Sequence, residues 1–192
     1  MKPTDELVHE HEVIELALDG LHSAAEDALR TGKLDVPLFE KAMDFLGNFA
    51  DRCHHGKEEK HLFRLMEMRG MPREGGPLGV MLYDHEIGRR RRRDIVNALP
   101  KAAEGDREAI RIAAENAAEY CDELRQHIWK ENHVLYPMAD NVLTEQDWRE
   151  LEEAFERVEK EEMGEGTHEK YHSIAHELGE HARPAEHVKR GH

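Results

Sequence analysis

The chain has 192 residues, 36% of them charged and 39% hydrophobic, with a formal net charge of −15. That length suits one domain with room for an appendage. The negative balance argues against nucleic acid and against an anionic membrane surface as partners.

Gly and Pro punctuation divides the chain into long helical segments, with almost no period-2 alternation to suggest strands. Thr4 is placed to cap a first helix carrying Leu7, His11, Ile14, Leu18 and Leu21 on one face and ending near Thr31-Gly32. Asp35-Val36-Pro37 opens a second, which runs through Phe45, Phe49, Leu62 and Leu65 to Arg69-Gly70. After the loop GMPREGGP, a third helix extends from Leu78 to Ala98, where Pro100 stops it. A fourth starts near Asp106 and lasts to Pro137–Asn141. Thr144-Glu145-Gln146-Asp147 resembles a capping box for a fifth, ending at Met163-Gly164. The tail, EGTHEKYHSIAHELGEHARPAEHVKRGH, opens with a short helix and then frays.

The expectation is an all-α fold. Four long helices with short connections make an up-down-up-down antiparallel four-helix bundle over residues 1–141, with a C-terminal helical extension, 142–192, packed on or across it. No a/d heptad persists across the loops, which removes a long coiled coil. No apolar run approaches the ~20 residues a membrane span needs, and the opening MKPTDELVHEHE is too polar for a secretory signal. Cys53 and Cys121 make no disulfide framework, so a cytoplasmic setting with both thiols reduced is expected. The run Arg89–Arg93 sweeps more than a helical turn and lacks an aromatic platform. It reads as a salt-bridged belt, with Arg89 the one candidate to turn inward.

Chemistry enters with two stretches, CHHGKEEKHLF at 53–63 and QHIWKENHVLYP at 126–137. His and Glu four apart on a helix point the same way, so both can reach one cation. The bare H-x-x-x-E pattern is weak evidence, because it also starts at His11, His22, His55 and His176. Its context is stronger. His54 is followed by Glu58, Leu62 and Phe63, and His127 by Glu131, Leu135 and Tyr136, at the same offsets. His11 lies 43 residues before His54 and His85 lies 42 before His127, so the chain carries an internal repeat of two helix pairs. Folded as a bundle, the halves would bury four imidazoles and two carboxylates in one layer. Buried carboxylates are costly unless a positive charge compensates them, and mixed imidazole and carboxylate donors suit iron, manganese or zinc.

With H…HxxxE…H…HxxxE in this order, and HxxxExxxL followed by Phe or Tyr in each second helix, the chain resembles the hemerythrin-like, HHE cation-binding family over about residues 5–140. The resemblance implies a non-haem centre of two iron ions, oxo- or hydroxo-bridged, with His11, His54, His85 and His127 as terminal ligands and Glu58 and Glu131 as bridging carboxylates. It departs from the oxygen-carrying hemerythrins in two places. Those have two histidines four apart on the third helix, whereas Arg89 follows His85, and they have Asp where Glu131 stands. An open or differently filled coordination position follows.

Other residues take blander readings. His55 and Glu59 are rotated by one residue, which leaves them exposed or supporting a ligand from behind. His61 reads as a rim histidine, Tyr120 as a core tyrosine, Glu15 as a remote extra ligand, and Cys53 and Cys121 as small buried residues. Glu58 and His61 form E-x-x-H, the ferritin-like di-metal signature, but Val134 breaks the second copy. His168, His172 and His176 make a stripe that lids the centre with an extra ligand, forms a separate weak metal site, or marks a helix docking by its apolar flank of Tyr171, Ile174 and Leu178. The function expected is binding of, or reaction with, a small oxidant or diatomic such as oxygen, peroxide or nitric oxide, peroxidase- or catalase-like if it turns over. An iron-responsive sensor, delivery or storage module is the alternative, and a metal-free scaffold with a satisfied polar layer is the plainest one.

Overall fold

The computed structural model describes residues 2–164 and 166–182. The fraying expected of the tail's end falls outside them. Among the described residues every regular element is helical, as expected, and there is no strand. Among the described residues no helix is long and apolar enough to cross a membrane.

Helix α1 spans Pro3–Thr31. It begins earlier than expected: Pro3 sits at N1, where its missing N–H costs nothing, and Lys2 rather than Thr4 is the capping residue. Gly32, at φ 70°, closes its far end in the left-handed conformation. Residues 36–68 form one continuous helical path, opened by Asp35, whose carboxylate accepts from the Leu38 N–H at 3.1 Å. It comprises α2 (Val36–Phe45), π-helical turns over Leu46–His55 and Glu58–Leu62, and α3 (Phe63–Met68). Helix α4 spans Pro77–Ala103 and contains Pro100, so the proline does not stop it where expected. Pro100 lies in the last turn, where a lost N–H removes one bond and little remains downstream to kink. Helix α5 (Arg107–Lys130) is capped by Asp106, passes through a π turn at Glu131–Leu135, and continues as α6 (Tyr136–Val142).

Helix α7 (Glu145–Arg157) starts in the expected capping box. The Thr144 and Asp147 side chains cap it reciprocally, and Arg69 fixes Asp147 with two bonds of 2.8 and 2.9 Å. A further π turn, Val158–Met163, leads to α8 (Thr167–Gly179). This last helix lies against α1, with Tyr171, Ala175 and Leu178 buried. The crossing needs Gly20, because a Cβ there would lie 1.8 Å from the Leu178 carbonyl oxygen.

Apolar burial falls into two clusters. One gathers Ile14, Leu18 and Leu21 with Phe39, Phe45 and Phe49, Ile95 and Leu99, and the small residues of α5. The other gathers Leu7, Phe63, Met66, Leu78, Met81, Leu135, Leu151 and Phe155. Along α1 the chain passes from the second cluster to the first, and along 36–68 it returns. Along α4 it crosses to the first again, and through α5 and α6 back to the second. Each crossing carries buried polar residues between the clusters.

Candidate metal centre

Those crossing residues are His11 on α1, His54 and Glu58 on the second helical path, His85 on α4, and His127 and Glu131 at the end of α5. All six are at most 2% exposed. The structure brings every one of the expected site residues into one layer. Glu131 lies between two of the imidazoles, with Oε2 3.1 Å from His11 Nε2 and Oε1 2.9 Å from His127 Nε2. Glu58 lies between the other two, its Oε2 3.8 Å from His54 Nε2 and 3.5 Å from His85 Nε2. His85 Nε2 and His127 Nε2 approach to 3.0 Å.

Local backbone explains part of this convergence. The Phe63 N–H reaches back five residues to the Glu58 carbonyl, and the Tyr136 N–H does the same to Glu131. Both copies of the repeat therefore carry a π turn beginning at the glutamate. Such turns are rare and concentrate at functional sites.

Every imidazole is held from behind through Nδ1. His54 Nδ1 bonds Glu10 at 2.8 Å, His85 Nδ1 bonds Glu59 at 2.6 Å, His127 Nδ1 bonds Asp84 at 3.3 Å, and His11 Nδ1 bonds the Asn132 amide oxygen at 2.8 Å. An ionised carboxylate only accepts, so each Nδ1 must donate. A neutral ring then turns a bare Nε2 lone pair toward the glutamate oxygens, which also carry only lone pairs. This is the arrangement in which histidine ligates metals, its other nitrogen fixed by a carboxylate or carbonyl.

The layer is not satisfied by its own hydrogen bonds. His54 Nε2, Glu58 Oε2 and both oxygens of Glu131 are buried without an aligned partner. Leaving such groups unpaired costs about 1–3 kcal/mol apiece. Protons fill the gap in part. Burial opposes charge on His127, but Glu131 and then Asp84 outweigh it and raise its pKa to about 9. His85 is raised well above the usual range against burial, by Glu131, Glu58 and Glu59, and His11 is raised in the same way by Glu131. Burial would raise Glu131, but His127, His11 and His85 hold it well below the ordinary carboxylate range. A cation in the layer would displace protons from Nε2 and meet the same demand for positive charge.

Two participants were not expected. His55 is 5% exposed rather than at the surface. Its ring stacks on His85 with centroids 3.8 Å apart, and neither of its nitrogens makes a hydrogen bond. His54 turns toward α1 and His55 toward α4 and α5, so adjacent side chains serve opposite sides of the layer. Within the layer, donor atoms in mutual reach form two groups, one of His11, His54 and Glu131 and the other of His55, Glu58, His85 and His127, while a third group, Glu10, Glu159 and His168, lies beside it. The second newcomer is Tyr136, whose hydroxyl donates to Glu58 Oε1 at 2.8 Å. Its position in the repeat matched Phe63, which hid its polar end.

Glu59, bonded to His85 and to Arg89 at 2.7 Å, supports a ligand from behind. Arg89 also bonds Asp51 at 2.8 Å, but it is not the single inward arginine of its run: Arg91 and Arg92 are half-buried too, and Arg92 donates to the Met43 carbonyl at 2.9 Å. Glu15 is exposed, His61 stays outside the converging set, and Tyr120, Cys53 and Cys121 are buried. Helix α8 docks by its apolar flank. His168 approaches Glu10 and Glu159 at 3.6 and 3.7 Å rather than entering the layer. Next to it lies Lys57, fully buried, its ammonium donating to Glu6, Glu10 and Glu159 at 2.5, 2.7 and 2.9 Å. Burial disfavours that charge, but Glu10 and Glu6 outweigh it and hold the lysine pKa above its usual value.

Comparison with known proteins agrees with this geometry. The chain is similar to the uncharacterized protein Rv1995 of Mycobacterium tuberculosis and the uncharacterized protein Mb2018 of Mycobacterium bovis, each 23% identical over 161 residues. The match takes in 84% of this chain but only 62% of theirs, so the chain spans less than two thirds of the length of these curated relatives. No solved structure matches it significantly. The profile of the hemerythrin HHE cation binding domain matches residues 2–139, most of the chain and all of the polar layer. The protein belongs to the hemerythrin HHE cation-binding domain family.

Proposed function

We propose that the chain binds two iron ions in the buried layer and there binds or reacts with a small oxidant or diatomic: oxygen, peroxide or nitric oxide. The observation that carries this reading is the inward set of ligand atoms, four imidazole Nε2 atoms braced from behind and two carboxylates each facing one histidine of either group, in which His54 Nε2, Glu58 Oε2 and both Glu131 oxygens have no hydrogen-bond partner. One ion would sit with His11 and His54, the other with His85, His127 and His55. Glu58 and Glu131 would span the two. A ferrous pair supplies two electrons to an oxidant, or an open position to a diatomic. The protein's own part is to fix the imidazoles through Glu10, Asn132, Glu59 and Asp84, to hold the Glu58 carboxylate with the Tyr136 hydroxyl, and to keep bulk water from the layer.

The alternation of the chain between the two apolar clusters supports an up-down-up-down bundle over residues 1–141, with 142–192 as an extension across it. The chain's acidic balance supports a protein that works without nucleic acid or membrane, and two buried thiols suit a cytoplasmic setting. A second reading, an iron-responsive sensor or delivery module, is favoured by one contact: Glu10, which braces His54, shares Lys57 with Glu159 of the extension.

Metal analysis of protein purified without added metal tests the centre. Two irons per chain are expected, both lost in the Glu58→Ala plus Glu131→Ala variant. A stable, folded wild-type protein free of transition metal would sink the reading. Mixing the reduced protein with peroxide and with oxygen then separates the versions, since many rapid turnovers mark an enzyme and a single stoichiometric oxidation marks a sensor or store.

A further inference from the structure

A cavity of about 370 Å³ opens between α4 and α5. Its floor is made by His55, His85 and His127, which are three of the four residues in one donor group, and it touches none of His11, His54 and Glu131. Its wall includes Ile87, Tyr120 and Leu124. Oxygen, nitric oxide or hydrogen peroxide is close in size to a water, whose share of liquid volume is about 30 Å³. The cavity has several times that room and falls within the roughly 300–1,000 Å³ of small-molecule sites, which combine apolar walls with a few convergent polar groups.

The charges at the mouth are already spent. Arg91 bonds Glu123 at 2.8 and 3.0 Å and also pairs with Glu119, while Lys130 bonds Asp84 at 2.5 Å. An ionic ligand would therefore lose its hydration without gaining an unshared counter-charge, which is costly. The floor has the opposite character. His55 is 95% removed from solvent, and neither ring nitrogen has a hydrogen-bond partner; Asp51 Oδ1 lies 3.6 Å from Nδ1, beyond hydrogen-bond reach. The unpaired His55 ring in the floor, beside the apolar faces of Ile87, Tyr120 and Leu124, suits a ligand with one polar end.

We propose that this cavity binds a neutral organic molecule with a compact hydrocarbon body and a single hydroxyl or hydroperoxyl head. The body lies against Ile87, Tyr120 and Leu124, and the head is directed at the His55, His85 and His127 floor. Only what the head meets rests on the metal reading. The fit of the body rests on the cavity itself.

The test uses cumyl alcohol and cumene hydroperoxide as probes, titrated into the full chain in metal-free and zinc-loaded forms and followed by methyl NMR. Zinc does not undergo redox chemistry, so binding is read apart from turnover. Saturable binding is expected, with shifts confined to the Ile87 and Leu124 methyls and their neighbours. Leu124→Trp and, separately, Ile87→Trp should weaken it at least tenfold, with zinc content and melting temperature retained. Ile87 is only half-buried, so its variant keeps the test open if Leu124→Trp does not fold. Benzoate and benzylamine should bind at least tenfold more weakly than the neutral probes. Tighter binding by zinc-loaded protein supports the placement of the head. If zinc fails to bind, the metal-free titration still judges the cavity, and the metal reading is judged separately by the iron content of the purified protein. Preference for the hydroperoxide assigns an oxidant as the natural occupant, and preference for the alcohol assigns the reduced molecule. No saturable binding to either form, binding undiminished in both tryptophan variants, or equal binding of the charged probes would overturn the proposal.

Discussion

Glu59 makes two contacts that reach the centre from outside it. Its Oε1 accepts from His85 Nδ1 at 2.6 Å and from the Arg89 guanidinium at 2.7 Å. Removing it in Glu59→Ala leaves the ring free to turn without touching any inward donor. Metal affinity should fall by about 10–100-fold, the usual effect of losing such a support, as measured by competition with a chelator. Lys57 is a sharper case. Lys57→Met keeps the volume but strands Glu6 and Glu10 beside a buried position, and breaking a buried ion pair in this way costs about 3–5 kcal/mol. Urea denaturation of the metal-free protein should show that loss, and an unchanged midpoint would mean that solvent already screens these carboxylates. The two residues were not equally legible. Glu59 could be placed because it follows Glu58 on a helix whose inward face was known. Lys57 lies in a run of charged residues, and nothing in GKEEK distinguishes a lysine at 0% exposure from a solvated one. His55 was read, like Glu59, as exposed or supporting a ligand from behind, and nothing in the sequence showed that its ring would turn inward and stack on His85. Here the second helical path faces neighbours on two sides.

Most helix boundaries were legible from punctuation: Gly32, Asp35, Asp106 and the Thr144–Asp147 box all stand where they were expected, whereas Thr4 does not cap the first helix and Pro100 does not stop α4. The π turns were not, since a five-residue hydrogen-bond register leaves no mark in composition or periodicity. Nor was the role of Gly20, whose neighbour Leu178 is far away in the chain. Gly20→Ala should lift α8 from α1, costing about 1–3 kcal/mol as overpacking does, despite the better helix propensity of alanine. Hydrogen exchange should then quicken in Thr167–Gly179 more than in α4 or α5. Helix α7 supplies a pH prediction. The Arg69 hydrogen bond and charge lower the Asp147 pKa against its burial, helped by Thr144. A depressed folded-state value means the contribution is present above the ordinary 3.8 and is lost as pH falls below it. Asp147→Asn should therefore be less stable than wild type at pH 6, by about 1 kcal/mol as for a lost cap. The difference should narrow toward pH 2.

At the scale of the whole molecule, two apolar clusters are separated by a layer that cannot satisfy itself. The sequence made that division readable because the same polar residues recur in both halves at matched distances, each pair followed by a leucine and an aromatic residue at the same offsets. The extension was less readable: Leu151 and Phe155 enter one cluster and Tyr171 and Leu178 the other, so residues beyond 142 join both parts of the core. The lateral opening has a further consequence. It reaches the donors on one side of the layer and leaves the other side enclosed by α1 and the Tyr136 ring. The paired ions would then differ in lability. A chelator should strip them in two kinetic phases, the ion near His85 and His127 leaving first, with a singly loaded species accumulating between. Spectra recorded during removal would check this, and a single exponential for both ions would show that the layer opens as one unit.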